Sequence, residues 1–123
     1  ARIDDVTTGR RIVLVARDQG EVVGTVSINP AQARNQLHRA ELDKLMVSST
    51  TRHRGVATRL MAAAATAARD RGLTLLTLEC VAGGTQQDFY EALGYTAVGT
   101  IPDFSLSPNG RPQGTTTLYQ QLS

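Results

Sequence analysis

The stretch Leu45-Met46-Val47-Ser48-Ser49-Thr50-Thr51-Arg52-His53-Arg54-Gly55-Val56-Ala57-Thr58 decides the fold. Three apolar residues lead into a polar turn, and an alanine-rich pattern with helical spacing follows. That order reads as strand, tight turn and helix start. The small residues Gly55 and Ala57 let the backbone come close to a bound group. A helix N-terminus offers free N–H groups and about half a positive charge. Arg52, His53 and Arg54 add cationic density. The combination predicts a cradle for a pyrophosphate.

Two common phosphate motifs are absent. The dinucleotide fingerprint needs Gly-x-Gly-x-x-Gly after a strand, and the P-loop needs a lysine at its end. The turn has neither, and the chain's one lysine, Lys44, lies before it.

The run Arg52-His53-Arg54-Gly55-Val56-Ala57 resembles the acetyl-coenzyme A motif of the GNAT superfamily of N-acetyltransferases, Gln/Arg-x-x-Gly-x-Gly/Ala. A second block, Phe89-Tyr90-Glu91-Ala92-Leu93-Gly94-Tyr95, is similar to that family's aromatic–tyrosine signature, about one βα unit downstream. The resemblance spans roughly residues 20–123. Within the family, Ala40–Val47 and the tail from Ile101 to Arg111 look like the tabtoxin-resistance acetyltransferases. The resemblance implies an opening strand and one or two helices ahead of the first hairpin. The sequence opens at Ala1 and reaches strand-like residues within about ten positions, so that portion is expected to be missing. It normally builds much of the acceptor wall.

At 123 residues one domain, 1–123, is expected, long enough to bury one core. The composition is globular, with 41% hydrophobic and 20% charged residues. No apolar run approaches the ~18 residues of a membrane span, and the first residues do not show the charged-then-apolar pattern expected of a signal peptide. The one cysteine, Cys80, excludes an internal disulfide and fits a reducing cytoplasm. A net charge of +2 is too small to argue for nucleic acid. The basic excess is local, at 52–59, and suits a compact anion.

Along the chain, 11–18 and 21–28 read as an antiparallel hairpin around the turn Asp18-Gln19-Gly20, and Asn29-Pro30 is expected to stop its second strand. Residues 39–47 give a third strand. Residues 54–71 give the main helix, with Val56, Leu60, Met61, Ala64 and Ala68 on one face. Leu73 to Val81 reads as a central strand, parallel to the third. Thr85 is expected to cap a short helix through Leu93, with Phe89 and Leu93 as its apolar stripe. Two closing strands, 95–101 and 115–122, flank a turn at Ser107-Pro108-Asn109-Gly110-Arg111. The fold class is therefore α/β (α+β), GNAT-like: a mixed, mostly antiparallel sheet with a central parallel pair and helices on both faces.

Amide formation from a thioester needs a neutral amine, donors for the carbonyl oxygen and a proton for the departing thiolate. Tyr90 is the proton donor of choice, because a phenol with pKa ~10 keeps its proton at neutral pH. The resemblance places this tyrosine at the cofactor sulphur. A packed helix aromatic is the competing reading. Glu79 and Glu41 are the candidate bases, with Asp43 third. Burial of Glu79 in an apolar strand would raise its pKa toward the value a base needs. A salt bridge is the alternative for Glu79, and a solvated strand end for Glu41. The resemblance implies that Leu45, Met46 and Val47 carry the pantetheine arm through their backbone. It assigns Arg52, His53, Arg54, Gly55, Val56, Ala57 and Thr58 to the pyrophosphate. Thr58 and Arg59 have solvated helix positions as alternatives. Cys80 reads as an inert buried thiol. No metal-ligand cluster is visible, and no metal is expected. Many relatives have an asparagine after the central strand, whereas Val81-Ala82-Gly83-Gly84 stands here.

The function that follows is transfer of an acetyl group from acetyl-coenzyme A to a primary amine of a small molecule, a toxin or antibiotic among the candidates. A non-catalytic acyl-coenzyme A sensor on the same fold is the runner-up. The expected partners are acetyl-coenzyme A and an amine, with no nucleic acid or membrane, and a homodimer is left open.

Overall fold

The computed structural model describes residues 2–48 and 55–123. The strands are β1 (Arg2–Asp5), β2 (Ile12–Asp18), β3 (Glu21–Pro30), β4 (Arg39–Val47), β5 (Leu75–Val81), β6 (Thr96–Leu106) and β7 (Pro112–Gln121), and the helices are α1 (Val56–Asp70) and α2 (Thr85–Ala92). A single 3-10 turn, Arg34–Gln36, precedes β4. The hydrogen-bonded strand order is β1-β2-β3-β4-β5-β7-β6, with β4 and β5 the parallel pair of an otherwise antiparallel sheet. The chain divides into two compact units, Ala1–Leu76 with Leu122–Ser123, and Thr77–Gln121.

In the first unit, β2 and β3 form a hairpin through a two-residue loop, with Asp18 opposite Glu21. Gln19 and Gly20 both have positive φ (51° and 86°), as a type I′ turn requires. Cross-strand partners share a face, so Ile12 with Ile28, Leu14 with Val26 and Ala16 with Gly24 form one apolar surface. Ile28 continues it to Leu42 on β4. Helix α1 packs on this surface, against β2, β3 and β4. Val56, Leu60, Met61, Ala64 and Ala68 are its buried residues, the set expected from the helical spacing. Gly72, at φ 77°, ends the helix by taking the left-handed conformation, and the Leu73 amide donates back to the Ala68 carbonyl (3.0 Å). Leu60 is fully buried. Leu60→Ala is expected to destabilise the fold by ~2–5 kcal/mol, read by urea denaturation.

Several boundaries differ from the sequence reading. Strand β1 was not anticipated: Arg2–Asp5 is too short and charged to show a pattern. It pairs with β2, and Arg17 holds it through Asp4 (3.0 Å). Strand β3 does not stop at Asn29-Pro30, because Pro30 is the last paired residue, opposite Ala40. A proline is tolerated at this strand-end position, and the Ala31 amide after it still donates to the Arg39 carbonyl (3.0 Å). Thr85 does not cap α2. Gly84 is the N-cap, and Gln87 Oε1 instead accepts from the Gly83 amide (2.8 Å).

In the second unit, β6 and β7 form a hairpin longer than expected. Two register shifts in β6 explain why its alternation is unreadable in sequence. The Ser107 amide donates to the Arg111 carbonyl at the expected turn (2.8 Å). The Gln120 amide group donates to the Leu93 carbonyl and ties the end of α2 to β7 (3.1 Å). The Phe89–Leu93 stripe is only half-buried, and α2 buries no residue completely.

Candidate active site

The end of β4 holds a feature that the sequence did not reveal. Thr25 faces Met46, yet Ser27 faces Asp43, so two β3 steps match three β4 steps. The extra residue is a β-bulge at Lys44-Leu45. Lys44 takes φ 55°, unusual for a residue with a side chain. The Thr25 hydroxyl donates to the Lys44 carbonyl across the bulge (3.3 Å). Beyond it, Met46 shares a face with Thr25, and Val47 shares the opposite face with Gly24. Val22, Val23, Gly24, Thr25, Met46, Val47 and Ser48 line a shallow cavity of about 320 Å³. Leu45 and Val47 are half-buried, and Met46 is 60% exposed.

Helix α1 begins beside this cavity, and Gly24 is the reason. A Cβ at Gly24 would lie 3.0 Å from Leu60 Cδ1, 3.1 Å from Val56 Cγ1 and 3.2 Å from the Met46 carbonyl oxygen. The start of α1, the end of β4 and the middle of β3 thus converge on one point where a Cβ would be crowded. Gly55 is the N-cap of α1, at φ 80°, with no side-chain cap hydrogen bond and no acidic residue in the first turn. Among the described residues no side chain caps the opening amides of α1, which carry their share of the helix dipole. Thr58 and Arg59 are exposed on that turn, Val56 is buried and Ala57 is half-buried. The expected anion ligands Arg52, His53 and Arg54 lie outside the described residues.

Of the two candidate bases, Glu41 lies on β4 in the first unit and Glu79 on β5 in the second. Both are exposed. The expected desolvation of Glu79 is therefore corrected: in β5 the alternate residues Leu76, Leu78 and Cys80 face inward, and Glu79 takes the outward position. Asp43, ranked third, is the half-buried acid of the three, and its Oδ1 has no hydrogen-bond partner. That orphan depends on β4 pairing, and no sequence signal would have found it.

In the second unit, Tyr90 is half-buried, with its ring edge-on to Phe89 (centroids 5.3 Å apart) and Tyr95 (6.1 Å). Burial pushes the Tyr90 phenol above its ordinary pKa, and Cys80 adds to the shift. The phenol therefore holds its proton at neutral pH. Burial likewise raises the Cys80 thiol, and the charge of Glu91 raises it further. A thiol shifted that way is a poorer nucleophile, as expected of a structural cysteine. After β5, the Ala82 amide donates to the Gly114 carbonyl (3.0 Å), and Gly83 turns the chain at φ 73°. Among the described residues, no three His, Cys, Asp or Glu gather to hold a metal, and no helix is long and apolar enough to cross a membrane.

Residues 2–95 match the model of the acetyltransferase (GNAT) family. Among solved structures, the chain is 27% identical to a ribosomal-protein-alanine N-acetyltransferase from Brucella melitensis, with a TM-score of 0.80 over 91% of this chain and 69% of that one. It is 28% identical to an aminoglycoside 6'-acetyltransferase type Ii, with a TM-score of 0.76 over 93% of this chain and 70% of that one. A putative acetyltransferase from Salmonella typhimurium, solved with its cofactor acetyl-CoA, shares the fold at 20% identity, with a TM-score of 0.81 over 92% of this chain and 65% of that one.

Proposed function

Because the chain belongs to the GNAT family of acetyltransferases, we propose that it transfers an acetyl group from acetyl-coenzyme A to a primary amine of a small molecule, by direct attack in a ternary complex. The observation that carries this reading is the start of α1 at Gly55, packed through Gly24 against the end of β4. Its amides, Gly55 to Thr58, would hold the pyrophosphate, with Arg52, His53 and Arg54, just before it in sequence, adding charge. The backbone of Leu45, Met46 and Val47, aimed by the bulge, would carry the pantetheine arm. The Salmonella relative solved with acetyl-CoA supports this choice of acyl donor.

In the reaction the amine nitrogen forms a bond to the acetyl carbon, and the carbon–sulphur bond breaks. The amine proton goes to Glu79 or Glu41, and an exposed carboxylate can pass it to bulk water. The Tyr90 phenol gives its proton to the departing sulphur. The relatives named for ribosomal-protein alanine and for aminoglycosides support an amine acceptor. Resistance to an amine toxin or antibiotic is the role we infer.

Titration calorimetry with coenzyme A and acetyl-coenzyme A tests the donor site, and absence of heat with both removes the reading. Thiol release from acetyl-coenzyme A over spermidine, kanamycin and an alanine-terminated peptide tests transfer. A sensor would bind coenzyme A and release thiol no faster than buffer does. Gly55→Ala is expected to weaken coenzyme A binding roughly tenfold, because a side chain at φ 80° costs on the order of 1–2 kcal/mol in the bound conformation. An unaltered Kd for that variant would place the pyrophosphate elsewhere.

A further inference from the structure

Asp43 is the one described residue with a buried side-chain polar atom that has no hydrogen-bond partner. A carboxylate oxygen carries only acceptor capacity, and leaving it buried and unpaired is unfavourable. Ser27 stands directly opposite on β3 and is buried, yet Asp43 Oδ1 stays unpartnered. Among the described residues no cation pairs with Asp43. A group kept in this state points to an occupant from outside the fold.

Strand register says where that occupant sits. Asp43 and Ser27 share the sheet face turned away from α1, and Thr25 and Met46 lie on the same face one step further on, across the bulge. Thr25 and Met46 line the cavity at the end of β4. Glu41, two residues before Asp43 and opposite Asn29, adds a second carboxylate to that face. The bulge at Lys44 separates the two acids from Met46 and changes which way the following side chains point. An ammonium with several N–H donors answers an acceptor-only oxygen beside a second negative charge.

We propose that Asp43 is the specificity-determining residue for the acceptor, taking the ammonium of an aliphatic cationic amine in a charge-assisted hydrogen bond. The proposal rests on the acetyl-transfer reading above and names the chemical class of its substrate. It separates the residue that selects the cation, Asp43, from the exposed acids proposed to remove the proton.

Asp43→Asn keeps the shape and removes the charge, and Asp43→Ser gives a second variant if the first misfolds. Because Oδ1 of the native carboxylate is buried without a partner, Asp43→Asn is expected to raise Tm by about 2–6 °C. Coenzyme A affinity by calorimetry should stay at the wild-type value. Spermidine, added to the coenzyme A complex, should raise the Tm of the wild type and leave both variants unmoved. The KM for spermidine should rise about thirty-fold or more in Asp43→Asn, with a smaller change in kcat. A lower Tm in both variants would show that Asp43 has a structural partner and overturn the proposal. A spermidine shift equal in wild type and variants, or missing from the wild type, overturns it as well. Failure of the transferase reading is distinct, since it appears as absent coenzyme A heat.

Discussion

Replacing Tyr90 with phenylalanine is expected to lower kcat by about 10²- to 10⁴-fold while leaving the Kd for acetyl-coenzyme A nearly unchanged. The ring keeps its edge contacts with Phe89 and Tyr95, so packing is conserved and only the hydroxyl is lost. What disappears is the proton for the departing sulphur. The same hydroxyl predicts a pH signature. Burial first, and then Cys80, raise the phenol pKa in the folded protein. Ionisation of Tyr90 therefore limits turnover only above the ordinary phenol value of about 10. Below that, kcat in the wild type should not fall through loss of this proton. Stopped-flow thiol release at saturating amine measures both effects. Wild-type turnover in the phenylalanine variant would remove Tyr90 from the chemistry and leave it a packing residue.

Gly24→Val is expected to damage both stability and coenzyme A binding. A Cβ alone would fall 3.0–3.2 Å from Leu60, Val56 and the Met46 carbonyl oxygen, and the two further methyls of valine have nowhere to go. The Leu60 and Val56 tips can shift by a few tenths of an ångström, but the Met46 carbonyl belongs to the backbone and cannot. The destabilisation is expected to be about 3 kcal/mol, or roughly 10–15 °C in Tm, measured by thermal unfolding. Coenzyme A affinity should fall with it, because relieving the clash moves the start of α1 away from the end of β4. Leu60→Ala provides the contrast: it empties a core position without crowding the β4 backbone, so it should cost stability with less loss of affinity. If Gly24→Val unfolds at the wild-type temperature, the close packing of α1 on β3 is disproved.

Both predictions show where the sequence was informative. Tyr90 was legible because it sits in an aromatic-tyrosine block that ends at Gly94, a local pattern. Gly24 was not singled out, since a glycine inside Glu21–Pro30 looks like any weak point in a strand. Its importance comes from Leu60 and Val56, more than thirty residues away. Glu79 illustrates the opposite error. An acid in an apolar run suggested burial, but strand alternation turns it to solvent while Leu78 and Cys80 face inward.

The order of elements from β2 onward, the buried face of α1, the turn at Gln19-Gly20 and the family itself were all determined by the sequence. Each is written in neighbouring residues, through period, propensity and turn chemistry, and needs no knowledge of what lies across the fold. Only the tertiary structure decided the bulge at Lys44, the contact point at Gly24 and the orphaned oxygen of Asp43. These depend on which residue of β3 stands opposite which residue of β4. A one-residue slip would exchange the faces of every side chain beyond it. Cross-strand register is a property of two distant segments together, and neither segment carries it alone.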